Sequence, residues 1–162
     1  MDKDQLKLRI EELSPKAWST LEVGEKHARL HELIMLYDQL IPLLEDTYSA
    51  LESKTRIHMY LKEMGKAETC LRRILELWPL NEYAWILLSE VQFENGEFEK
   101  ALESFDIGVK GSYSDFRFDF RAKINRALGR MEDAEKDQKI YDDYQAAEQA
   151  KWDDPNHYYH YK

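Results

Sequence analysis

The stretch from Asn81 to Ala134 repeats itself. Trp85, Gly96 and Ala101 are followed 33 residues later by Phe118, Gly129 and Ala134. Each copy holds a helical run, a glycine, a short polar step and a second helical run opening near a small alanine. That order at a period of 33 to 34 residues marks a stacked helix-turn-helix array. Such units bury their apolar faces only against their neighbours, so the chain is committed to an all-α fold. With 6 Gly and 4 Pro in 162 residues there is little punctuation for a many-stranded sheet. The length suits one folding domain.

Asp2 is placed to cap a first helix carrying Leu6, Leu8, Ile10 and Leu13. Ser14 and Pro15 read as the N-cap and first position of a short second helix to about Val23, with Gly24 ending it in a left-handed conformation. From Glu25, Leu30, Leu33, Ile34, Tyr37, Leu40 and Ile41 recur at helical steps, and Pro42 breaks the run. A further helix to about Met64 turns Leu44, Thr47, Leu51, Ile57 and Leu61 inward. Gly65 separates it from a helix with Leu71, Ile74 and Leu75 buried, which Pro79 stops before Asn81 caps the next. Ala67 lies 34 residues before Ala101, an earlier copy of the unit. One residue separates Gly65 from Ala67 against four between Gly96 and Ala101, so this first copy has a tighter turn, or its helix begins elsewhere.

Ser114 or Asp115 can cap the third unit, whose last helix runs to about Lys151. Residues 132–154 hold nine acids against three lysines, the polar outer face that a terminal helix of an open array needs. The expected organisation is an N-terminal helical extension or cap (1–44), three units (45–80, 81–114, 115–151) and an aromatic tail (152–162).

These residues resemble tetratricopeptide repeats (TPR). In the middle unit Trp85, Leu88, Ser89, Gly96, Phe98, Ala101, Phe105 and Gly108 stand at the family's spacings; in the third, Phe118, Ala122, Gly129, Met131 and Ala134 do. In the first, Ala67, Leu71, Ile74 and Pro79 match the second helix and its closing proline. The resemblance covers about residues 45 to 148. Arg121 departs from it where leucine is usual, and Tyr113 where proline is. The resemblance implies an α-solenoid whose first helices line a concave groove that binds a peptide. The groove positions carried over are Tyr83, Ile86, Leu87, Glu90 and Phe93, then Phe116, Asp119, Phe120, Lys123 and Arg126. For Leu87 and Phe120 the competing reading is core. Leu87, Glu90 and Phe120 also stand where a carboxylate clamp for chaperone tails would need polar or basic groups, so that function is not expected.

The net charge of −9 argues against duplex nucleic acid as partner, because phosphates need a basic face. The start, MDKDQLKLRIEEL, lacks the apolar core of a secretory signal. The run Leu33 to Leu44 is broken by Asp38, Gln39 and Pro42 and is too short to span a bilayer. A cytoplasmic protein is expected. A single cysteine, Cys70, allows no internal disulfide and reads as packing. No GxSxG, Walker loop, HExxH or CxxC occurs, and neither enzymatic chemistry nor a cofactor is expected. The leading expectation is a protein-interaction module. One alternative is a self-assembling subunit, a homodimer whose Trp152, Tyr158, Tyr159 and Tyr161 fill a neighbour's groove. Another is weak metal binding through His27 and His31, one helical turn apart, or through His157 and His160 in the tail.

Overall fold

A computed structural model of the chain describes residues 1–14, 21–110 and 117–153. Eight α-helices are present among them: α1 (Lys3–Leu13), α2 (Val23–Leu40), α3 (Tyr48–Tyr60), α4 (Met64–Leu77), α5 (Glu82–Glu94), α6 (Phe98–Val109), α7 (Phe118–Ala127) and α8 (Met131–Asp153). The Asp2 carboxylate accepts from the Gln5 amide at 2.8 Å while the Gln5 side chain accepts from the Asp2 N–H at 3.1 Å, a complete capping box that starts α1. Leu6, Ile10 and Leu13 share its buried face. Leu8, two residues from Leu6 and so on the other side of the helix, is 60% exposed rather than buried. Ser14 closes α1, its hydroxyl donating to the Ile10 carbonyl at 2.8 Å. The expected short helix from Pro15 falls mostly outside the described residues, as do the caps at Ser114 and Asp115. Gly24 does not end a helix: it lies in the first turn of α2. That helix buries Leu30, Leu33, Leu36 and Leu40, and Pro42 sits in a single 3-10 turn, Ile41–Leu43, that ends it.

The turn of the first copy proves to be of ordinary length. The left-handed residue there is Lys62 (φ 59°), which corresponds to Gly96 (φ 78°) and Gly129 (φ 74°). Each sits five residues before its alanine: Ala67, Ala101, Ala134. The following N–H reaches back to the same carbonyl in all three: Glu63 to His58, Glu97 to Gln92 and Arg130 to Asn125, each at 2.9 Å. Gly65 is an ordinary residue in the first turn of α4 and is not the counterpart of Gly96. A lysine with a left-handed backbone costs about 1 kcal/mol more than glycine would.

Within each pair the alanine is where the helices meet: Ala67, Ala101 and Ala134 are buried. Packing is densest within α3–α4, α5–α6 and α7–α8. Gly108 on α6 is a point of close approach to α5. A methyl built there would stand 3.0 Å from the Glu82 carbonyl oxygen, 3.0 Å from Ile86 Cγ1 and 3.1 Å from Trp85 Cβ. Trp85 is held by its indole N–H, which donates to the Pro79 carbonyl at 2.8 Å. One core joins α3, α4 and α5 through Leu51, Leu71, Ile74, Leu87, Leu88 and Val91, and a smaller one surrounds Phe105 and Ile124.

The N-terminal segment forms a helix pair of its own. Leu33, Leu36, Tyr37 and Leu40 of α2 lie 34 residues before Ala67, Cys70, Leu71 and Ile74, so α2 repeats the inward pattern of α4. Leucine at the alanine position holds the helix axes farther apart than a methyl would. A separate core of α1 and α2 leucines reaches Ile57 and Leu61 at the end of α3 and so covers the start of the array. At the other end, α8 is 23 residues long against 10 for α7 and buries only Ala134 and Asp137. It is the polar terminal helix that the acidic run predicts.

Candidate functional site

The first helices of successive pairs touch through long side chains. From α3, Arg56 Nη2 donates to the Tyr83 hydroxyl of α5 at 2.9 Å and to Glu52 at 2.8 Å, its guanidinium 5.7 Å from the Tyr83 ring centre. From the start of α7, Arg117 pairs with Glu90 of α5. Farther along α7, the Lys123 ammonium lies 4.5 Å from the centre of the Phe93 ring, which also meets Phe98 and Phe120 edge to face or tilted. These contacts set α3, α5 and α7 side by side. Their shared face carries two aromatic rings, each met by a cation.

Of the groove residues expected from sequence, Tyr83 is 40% exposed, Glu90 and Phe93 are half-buried, and Asp119, Lys123 and Arg126 are exposed. Arg126 donates to Gln138 of α8 at 2.8 Å. Ile86 and Leu87 do not reach this face: at 6% and 7% exposed they lie inside, Ile86 against Gly108 and Leu87 in the central core. Phe120 packs partly buried on the Phe105 core. Phe116 lies outside the described residues. Glu52 and Arg56 were not anticipated, although they stand 34 residues before Ile86 and Glu90 and the period alone would have placed them.

Arg121, the departure from leucine, is explained by its partners. It pairs with Asp106 of α6 at 2.8 Å and Asp137 of α8 at 3.0 Å, and lies 5.6 Å over the Phe118 ring. Asp137 is buried and takes a second hydrogen bond from Asn125 Nδ2 at 2.8 Å. Burial pushes its carboxyl above the usual carboxylate range, against the opposing pull of Arg121 and Asn125.

His27 and His31 are both exposed on α2, with His27 edge-on to Tyr60 at 6.3 Å. No group of three histidine, cysteine or acidic side chains placed to hold a metal ion occurs among the described residues. His157 and His160 lie outside them, as do Tyr158, Tyr159 and Tyr161. Cys70 is buried, and burial raises its thiol above the usual range. No helix among the described residues is long and apolar enough to cross a membrane.

Stacked helix pairs with a left-handed turn residue, a small crossing alanine and first helices side by side define a TPR-like all-α helical-repeat protein. No family model matches the chain, and no curated protein matches it. Among solved structures, the one described as "MamA RS-1 ArsTM double mutant" is similar over 91% of this chain and 89% of that chain, with a TM-score of 0.70 and 13% identity. MamA is itself a TPR-like protein. At that identity the likeness speaks for the fold alone.

Proposed function

We propose that this chain is a non-enzymatic protein-interaction module that docks a partner segment on the face shared by α3, α5 and α7. The observation that supports this most is the pairing of half-exposed rings with cations there: Tyr83 with Arg56, and Phe93 with Lys123. Aromatic and arginine side chains side by side are the composition in which binding hot spots concentrate. A TPR-like fold also favours protein partners. In a chain of net charge −9 the cations gathered here suit a segment with acidic and aromatic side chains.

The test is Lys123→Glu combined with Arg126→Glu. Both side chains are exposed, so the fold should persist and the helical circular dichroism stay unchanged. Capture of partners from a lysate, identified by mass spectrometry, should be lost. Retention of the same partners by the double variant would show that the docking face lies elsewhere. Self-assembly through the aromatic tail is the competing reading. It is tested by light scattering on the full chain and on one ending at Lys151, and a monomer in both removes it.

A further inference from the structure

The third helix pair contains a buried carboxylate site, and the first contains the same site without its carboxylate. Positions related by the repeat are Lys54, Leu88 and Arg121; His58, Gln92 and Asn125; Cys70, Ser104 and Asp137. On the helix preceding each pair, Asp38 and Asp106 occupy equivalent places, with Arg72 between them. In the third pair Arg121 bridges Asp106 and Asp137, and Asn125 binds Asp137. In the middle pair leucine fills the cation's place, and Ser104 donates to Gln92 at 2.7 Å.

The first pair keeps the cation and its outer partner: Lys54 pairs with Asp38 as Arg121 does with Asp106. It lacks the inner anion. Cys70 stands in place of Asp137, and with its thiol raised by burial it offers Lys54 no negative charge. His58, 3% exposed, has Nδ1 2.7 Å from Glu63 Oε2 of the turn, and its Nε2 has no hydrogen bond among the described residues. A cleft of about 290 Å³ opens here, lined by Ile34, Asp38, Lys54, His58, Thr69 and Cys70, with Lys66 at its edge. Asp38, Lys66 and Thr69 are exposed, so it is reached from solvent.

We propose that this cleft binds a carboxylate, taken up beside Cys70 where the third pair holds the side chain of Asp137. Lys54 meets it as Arg121 meets Asp137 and Lys66 closes the open side, while His58, whose Nδ1 faces the Glu63 carboxylate, donates to it through Nε2 as Asn125 does only in the imidazolium form. The carboxylate competes with Asp38 for Lys54 and with Glu63 for Lys66, so affinity is set by that exchange. Its source is a free organic acid or the side chain of an acidic residue in a partner. The cleft is separate from the face of α3, α5 and α7, and the proposal stands without that face.

The full chain is titrated in nuclear magnetic resonance with sodium acetate and, separately, with N-acetyl-aspartate N-methylamide, sodium chloride of equal ionic strength serving as control. Saturable shifts centred on His58, Lys66, Thr69 and Cys70 are expected beyond those with chloride. Acetate acting alone points to a free acid, and preference for the aspartyl probe points to a side chain. Asp38→Asn should tighten binding by releasing Lys54. Cys70→Asp should supply the carboxylate from the chain and weaken binding at least about tenfold. Lys54→Leu, which installs the residue of the middle pair, should do the same without a new acid. Absence of saturable shifts with both probes overturns the proposal, and so does undiminished binding by Lys54→Leu.

Discussion

The same substitution at two helical glycines should have opposite effects on stability. In α4, a methyl at Gly65 meets nothing within 4 Å, so Gly65→Ala brings only the higher helix propensity and lower unfolded-state entropy of alanine. The gain is about 0.5–1 kcal/mol. In α6, Gly108→Ala has the same local gain, but its methyl would stand 3.0 Å from the Glu82 carbonyl oxygen. That oxygen belongs to the backbone of α5 and cannot rotate aside, and Ile86 and Trp85 close the other sides. Relief requires α5 and α6 to separate by several tenths of an ångström. Overpacking of this kind costs about 1–3 kcal/mol, leaving a net loss of about 1 kcal/mol. The two variants should therefore differ by about 2 kcal/mol. Urea unfolding followed by circular dichroism gives the comparison, with similar slopes in both required for the midpoints to be read as stability. Equal stabilisation by both would refute the close approach at Gly108 and with it the tight crossing of α5 and α6.

Lys62→Gly should stabilise by up to about 1 kcal/mol, because it removes a left-handed lysine from the α3–α4 turn, whereas Gly96→Ala should destabilise by a similar amount; thermal melts of both variants check the pair. Ala101→Leu places a larger side chain at a fully buried helix crossing and should cost about 1–3 kcal/mol; an unchanged melting temperature would count against the repeat register. Asp137 has a folded-state pKa raised by burial, so the native state holds its proton more tightly than the unfolded chain does. Stability from this group is present below the raised pKa and declines as pH rises from the usual carboxylate range through it. The advantage of the wild type over Asp137→Asn should thus shrink between about pH 4 and 7, and urea melts at both values would expose the opposite trend if Arg121 outweighed burial.

Local patterns carried the helices and their order. The 33-residue offset from Trp85 to Phe118, the turn glycines and the crossing alanines depend on backbone preference and on periodicity within one helix. A single chain displays those without knowing its neighbours, and the all-α TPR-like fold follows from them. The first copy is masked in the sequence because its turn residue is lysine: neighbouring backbone contacts hold Lys62 in a conformation that glycine would advertise and lysine does not. Burial was legible only where one helix face was clearly apolar. Ile86 and Leu87 lie in a helix that is apolar nearly all round, so only the packing of α4 and α6 against it decided that they point inward. The charged residues depended most on tertiary structure. Lys54 and Arg121 both replace an inward leucine, and a cation there is tolerable only because Asp38 and Asp106 arrive on the preceding helix. Those partners are about 15 residues away in the chain and come within hydrogen-bonding reach only when the pairs stack. By itself the sequence therefore determined what repeats, while the fold decided which repeated positions carry charge inside, because an ion pair exists only between two positioned groups.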